Sequence, residues 1–206
     1  MNSIKLIKEL NSRMKSSLRR DFNLSASGAY FFEIEGTEKA LNRIGQENEE
    51  VCVWKWFEDI WLYMSVTFKK VGKEVEPFTS LSFFQKVDNS FYQLFRAEWD
   101  RYANIGDSNH PQPHWHITSN LALEKDLKDF VEDVEKEEES NAGLFSELIQ
   151  ENRDITIDVH RMHFAMAGEW PDTGNMVNSI IDEERFISWI ANLLNHVRKE
   201  LEYVKG

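Results

Sequence analysis

The chain holds one cysteine, Cys52, in 206 residues, which excludes an internal disulfide and any zinc site built from cysteine thiolates. Its place between Val51 and Val53 predicts a buried, unreactive thiol. Long apolar runs are missing too: none approaches the roughly 20 residues that cross a bilayer, and the first 20 residues lack the continuous apolar core of a signal peptide. A soluble, cytoplasmic protein is expected. There is no Gly-rich phosphate loop, no dinucleotide fingerprint and no repeat of solenoid length. Basic charge is scarce, with 24 Lys and Arg against 36 Asp and Glu for a net charge of −12, which opposes a non-specific grip on a nucleic-acid backbone.

What is present is a globular balance. Hydrophobic residues make up 41% and aromatic residues 13%, with seven tryptophans, so a few large side chains supply much of the buried area of a single domain. At the N-terminus, Ile4, Ile7, Met14 and Leu18, with Leu6 and Leu10 alongside, follow helical spacing from Ser3 to Leu18. The polar face of this helix carries Lys5, Lys8, Arg13, Lys15, Arg19 and Arg20 against Glu9 alone. That face is suited to an acidic partner, or to pairing with the protein's own carboxylates.

After Asn23 to Gly28, Ala29 to Glu35 reads as a strand bounded by Gly28 and Gly36. Thr37 to Ile44 predicts a short helix capped by Thr37, and Gln46 to Glu50 a loop. Strands are expected over Val51–Phe57, Trp61–Phe68, Phe78–Val87 and Phe91–Arg101, separated by polar turns as in an antiparallel meander. Pro77 should mark an edge or a strand start, since it cannot donate to a ladder. Leu121 to Glu138 predicts an acidic helix; residues 124–139 hold nine acids and three lysines, a local charge of −6. Such a run is a solvated face, or a surface for a protein partner. Asp182 to Val204 predicts the longest amphipathic helix, with Phe186, Trp189, Ile190, Leu193, Val197, Leu201 and Val204 on one face. The sum is an α+β domain spanning residues 1–206: an antiparallel sheet of about five or six strands, packed by N-terminal, acidic middle and C-terminal helices.

Five of the six histidines fall in two windows, His110-Pro-Gln-Pro-His114-Trp-His116 and His160-Arg-Met-His163. On a strand, residues two apart share a face, so His114 and His116 present their imidazoles together. Pro111 and Pro113 stiffen the approach and hold His110 near its partners. On the preceding strand Arg96, Glu98 and Asp100 share one face, and Phe95, Ala97 and Trp99 the other. If the two strands pair, Glu98 or Asp100 reaches the imidazoles. Two histidines and a carboxylate with an open position are a common catalytic metal set. His114, His116, His110, Glu98 and Asp100 are therefore the candidate ligands for a divalent ion, zinc or manganese. His163 is the candidate proton-transfer group, with His160 as the other, and Arg161 the candidate clamp for an anionic group such as phosphate.

Two partial likenesses appear at these residues. His114-Trp-His116 looks like the start of a cupin metal motif, but Asn120 stands where the cupin glutamate belongs, and Glu124 comes too late. His116-Ile-Thr118 is similar to the His-x-Thr signature of two-histidine phosphoesterases, but His163-Phe-Ala165 puts alanine in place of the second hydroxyl. Neither extends beyond a few residues, and no functional residue is carried over from either. Three accounts follow from the residues themselves: a metal-dependent hydrolase of a phosphate ester, nucleic acid included; a metal-free two-histidine phosphodiesterase or ribonuclease; and a non-catalytic interaction or regulatory protein whose histidines are structural.

Overall fold

A computed structural model describes residues 2–44, 47–71, 74–100, 112–117, 157, 159–163 and 182–206, apart from a few side chains. Helix α1 (Ser3–Leu18) starts at Asn2, whose side chain accepts from the backbone of Lys5. It buries Leu6, Ile7, Leu10 and Met14, the stripe that its spacing predicts. Eight strands follow: β1 (Leu24–Gly28), β2 (Phe31–Ile34), β3 (Glu38–Ile44), β4 (Glu47–Phe57), β5 (Ile60–Val71), β6 (Glu74–Val87), β7 (Ser90–Asp100) and β8 (His114–Ile117). A 3-10 turn, Val159–Arg161, precedes the last helix, α2 (Glu183–Lys205). Asp182 caps α2, accepting from the backbone of Arg185. No helix among the described residues is long and apolar enough to cross a membrane.

The sheet is antiparallel in the order β1-β2-β5-β6-β7-β8, with β4 also paired to β5, and β3 to β4. Strand β5 divides its free edge between two partners: Lys55, Trp54 and Phe57 of β4 pair at its start, and Phe31 to Glu33 of β2 further along. Alternation then sorts the side chains by face. One face carries Leu62, Met64, Val66, Leu81, Phe83, Phe95, Ala97 and Trp99, all buried. Helix α2 packs on it through Phe186 and Trp189, whose rings lie 6.4 and 5.0 Å from Trp99. The other face is polar, with Tyr63, Ser65, Ser80, Ser82, Gln93 and Arg96 all buried.

The β3–β4 ribbon covers part of that polar face. Ser82 donates to Asn42 Oδ1 at 2.7 Å, the Arg43 N–H donates to Gln93 Oε1 at 2.6 Å, and Arg96 donates to the Arg43 carbonyl at 2.6 Å. Buried hydroxyls, amides and a guanidinium are tolerated here because the ribbon supplies partners for them. Nearby, Tyr63 donates to Glu33 Oε1 at 2.7 Å. Burial and that bond push its phenol above its ordinary value, so it stays a donor.

Several expectations need correction. Residues 37–44 are not a helix: Glu38 to Ile44 pair residue for residue with Val53 back to Glu47. The helix-forming composition is overridden by this pairing, and Ala40 and Asn42 point inward while Leu41 is exposed. Leu24–Gly28 supplies β1, to which no element was assigned from sequence, and β4 begins at Glu47 within the predicted loop; the strand number among the described residues is eight. Cys52 is exposed, because its neighbours Val51 and Val53 take the buried side of β4. Pro77 lies inside β6 rather than at its start and pairs with Phe68 of β5, and described pairing with β7 begins at Phe78; Arg101, the next residue of the chain after β7, lies outside the described residues. The expected acidic helix at 121–138 lies outside the described residues.

The basic face of α1 meets the chain's own acids. Lys5 lies 3.7 Å from Glu183, Arg13 3.7 Å from Glu184, and Lys15 3.2 Å from Asp21. At the other end of α2, Lys205 pairs with Asp59 and Glu58 in the turn between β4 and β5. Burial alone would raise the Asp59 carboxyl, but bonds from Lys205 and Gln85 together hold it below its ordinary value of 3.8. The contribution of this clasp is therefore present above pH 3.8 and lost as pH falls through the lower folded value. Both side chains are about one-quarter to one-third exposed, so screening limits the effect to about 1 kcal/mol or less. The melting temperature of Asp59→Asn should fall slightly below wild type near neutrality, and the two curves should merge in acid. A gap that widens in acid would contradict the assignment.

Candidate metal centre

Strands β7 and β8 build the site. They pair antiparallel with Glu98 opposite His114, Arg96 opposite His116 and Ala97 opposite Trp115. The period of two puts Arg96, Glu98, His114 and His116 on the polar face, and sends Phe95 and Trp115 to the apolar side, with ring centroids 5.8 Å apart. The chain enters β8 through a cis Gln112–Pro113 peptide.

Three donor atoms converge. His116 Nε2 lies 3.0 Å and His114 Nε2 3.4 Å from Glu98 Oε2, and the two Nε2 atoms are 2.6 Å apart. Among the described residues this is the one cluster of His, Cys, Asp or Glu able to hold a metal ion. Bonds of about 2.0–2.1 Å arranged tetrahedrally would set donors about 3.3 Å apart. The two histidine–carboxylate distances bracket that spacing, and the imidazoles need to separate by roughly 0.7 Å to meet it. No backbone change is required for such a shift, because it lies within rotation about the side-chain torsions.

The two oxygens of Glu98 have different company. Oε2 faces the imidazoles, while Oε1 lies 2.8 Å from Arg96 Nε and accepts from Ser80 Oγ at 3.4 Å. Burial alone would raise this carboxyl. Hydrogen bonds from His114 and His116, together with the charge of Arg96, outweigh it and hold Glu98 well below the usual carboxylate range. Glu98 is thus a carboxylate throughout the range in which proteins are handled.

Exposure is uneven across the trio: 42% for the His116 side chain, against 13% for Glu98 and 11% for His114. Solvent reaches the cluster from the His116 side. A three-ligand set open on one side can hold an ion and leave a coordination position for water, whereas a closed structural zinc takes four protein ligands.

The other candidates lie elsewhere. Asp100 ends β7 opposite Phe78, beyond the paired length of β8, and its side chain is outside the described ones. His110 and the side chain of His160 are outside the described residues as well. His163 is set against α2: its backbone N–H donates to Glu200 Oε2 at 2.8 Å, its Nδ1 lies 3.3 Å from the same oxygen, and its carbonyl accepts from His196 Nε2 at 2.8 Å. Those contacts, led by the backbone bond, lower the Glu200 carboxyl. Arg161 is exposed on the same short segment. The structure therefore brings together Glu98, His114 and His116, and does not add His163. Arg96 and Ser80 were not assigned roles from sequence. The available signal for Arg96 was its place two residues before Glu98.

No protein-family model, curated protein or solved structure matches this chain.

Proposed function

We propose that Glu98, His114 and His116 hold a divalent metal ion, zinc or manganese, and that the protein is a metal-dependent hydrolase of a phosphate ester. The observation that carries this reading is the convergence of one carboxylate oxygen and two imidazole nitrogens on a solvent-reached cluster. An ion held there by three ligands has room for water, whose proton it makes easier to lose, and for a phosphoryl oxygen, which it polarises. A nucleic-acid backbone belongs to this substrate class; with the chain at −12, such a substrate would be engaged through the ion rather than through a general positive field.

The metal-free two-histidine alternative has less support at this cluster. Imidazole nitrogens only 2.6 Å apart leave no room for a phosphate between an acid and a base. The non-catalytic alternative is separated by activity. Metal-stripped protein should hydrolyse bis(p-nitrophenyl) phosphate only after zinc or manganese is added, and His114→Ala/His116→Ala should lose that hydrolysis. Metal-loaded protein inert toward phosphomonoesters and phosphodiesters alike would contradict the hydrolase and favour the interaction or regulatory role.

A further inference from the structure

We infer that Arg96 is a positioning residue for this centre: it occupies Glu98 Oε1 so that only Oε2 is presented to the ion. The inference rests on the metal reading above. Arg96 is 4% exposed, and a buried guanidinium needs close partners for its charge and its hydrogens. It reaches two: its Nε lies 2.8 Å from Glu98 Oε1, and its Nη1 donates to the Arg43 carbonyl at 2.6 Å. The hydrogen bond anchors the guanidinium to the β3–β4 ribbon, and the ion pair sets its positive charge against Oε1. Ser80 stands on the same oxygen from the β6 side.

Two consequences follow for the ion. Glu98 binds through one oxygen, which leaves the coordination number low and a position open for water. The positive charge of Arg96 also offsets that of the carboxylate, so the ion keeps more of its own charge to polarise what it binds. A carboxylate free of Arg96 would be able to swing and chelate through both oxygens.

The test uses cobalt(II) as a spectroscopic stand-in for zinc on the full chain. Arg96→Met is expected to lower the intensity of the visible cobalt bands several-fold, as Glu98 chelates through both oxygens and coordination rises above four, with cobalt affinity shifted away from the wild-type value. Arg96→Lys, which keeps a charge near Glu98 without the planar fork, should lie between Arg96→Met and wild type and covers the case in which Arg96→Met does not fold. Gln93→Leu provides the control: Gln93 also bonds Arg43 but no contact joins it to Glu98, so it should loosen the ribbon and leave cobalt affinity and spectrum unchanged. Wild-type affinity and spectrum in a folded Arg96 variant would overturn this inference alone. No cobalt binding by the wild type would remove the metal reading with it. Equal spectral changes in Gln93→Leu would show that Arg96 acts only by holding the ribbon.

Discussion

His116→Ala is expected to weaken zinc binding by about 1,000-fold, close to 4 kcal/mol, while leaving the fold almost untouched. The two effects separate because of where His116 sits. Its side chain is 42% exposed, so truncation empties no core volume, and such surface changes stay within about 0.5 kcal/mol. Its Nε2 is nonetheless one of three converging donors among the described residues, and a two-ligand remnant holds an ion poorly. Glu98→Gln should behave differently. It removes the anionic donor and also leaves the buried Arg96 without its carboxylate, so both zinc affinity and stability should fall, the latter by about 3 kcal/mol. Zinc competition with a chromophoric chelator gives the affinities and thermal melts give the stabilities. Equal melting losses in the two variants, or zinc affinity retained in His116→Ala, would contradict the assigned geometry.

Gly36→Ala should be the most destabilising single-methyl change near the ribbon, at about 3 kcal/mol. A Cβ at this position would fall 2.5 Å from the Cys52 carbonyl carbon, 2.5 Å from Val53 N and 2.6 Å from Val53 O. These are backbone atoms of β4, so no side-chain rotation relieves the clash. The same close approach lets the Thr37 N–H donate to the Val53 carbonyl at 2.9 Å and sets the entry of β3 beside β4. For a chain of this size, about 3 kcal/mol corresponds to a fall in melting temperature of roughly 6–12 °C. Ala29→Ser, in the turn before β2, is the comparison and should melt near wild type. An unchanged melting temperature in Gly36→Ala would mean that β3 and β4 approach less closely than described.

The parts of the fold that could be read from sequence are those in which apolar residues are also the buried ones. Helices α1 and α2 carry their stripes at helical spacing, and β5 to β7 alternate between large apolar residues and polar ones. Strand β3 hides its period because its inward residues are Ala40 and Asn42, whereas Leu41 and Ile44 are 60% and 42% exposed. Only pairing along β4 reveals it. Strand β1 is similarly silent: of Leu24-Ser-Ala-Ser-Gly28, Leu24 alone is buried.

At the site, the common face of His114 and His116 followed from the period of a strand, and Glu98 from the expected pairing of β7 with β8. The choice between Glu98 and Asp100 needed the register, which the length of chain between the two strands conceals. The role of Arg96 needed more: the ribbon that anchors it is formed by residues 38–57, far from β7 in sequence. His163 was ambiguous for a local reason, since it follows a 3-10 turn to which neither strand nor helix spacing applies.

The central claim, that Glu98, His114 and His116 form a metal centre, is tested most directly by counting bound zinc. Full-length protein stripped with chelator, dialysed to equilibrium against micromolar zinc and measured by elemental analysis should hold one ion per chain. His114→Ala/His116→Ala, folded by circular dichroism, should hold none. A wild-type chain that takes up no zinc and no manganese, or a double variant that retains the full complement, would contradict the account.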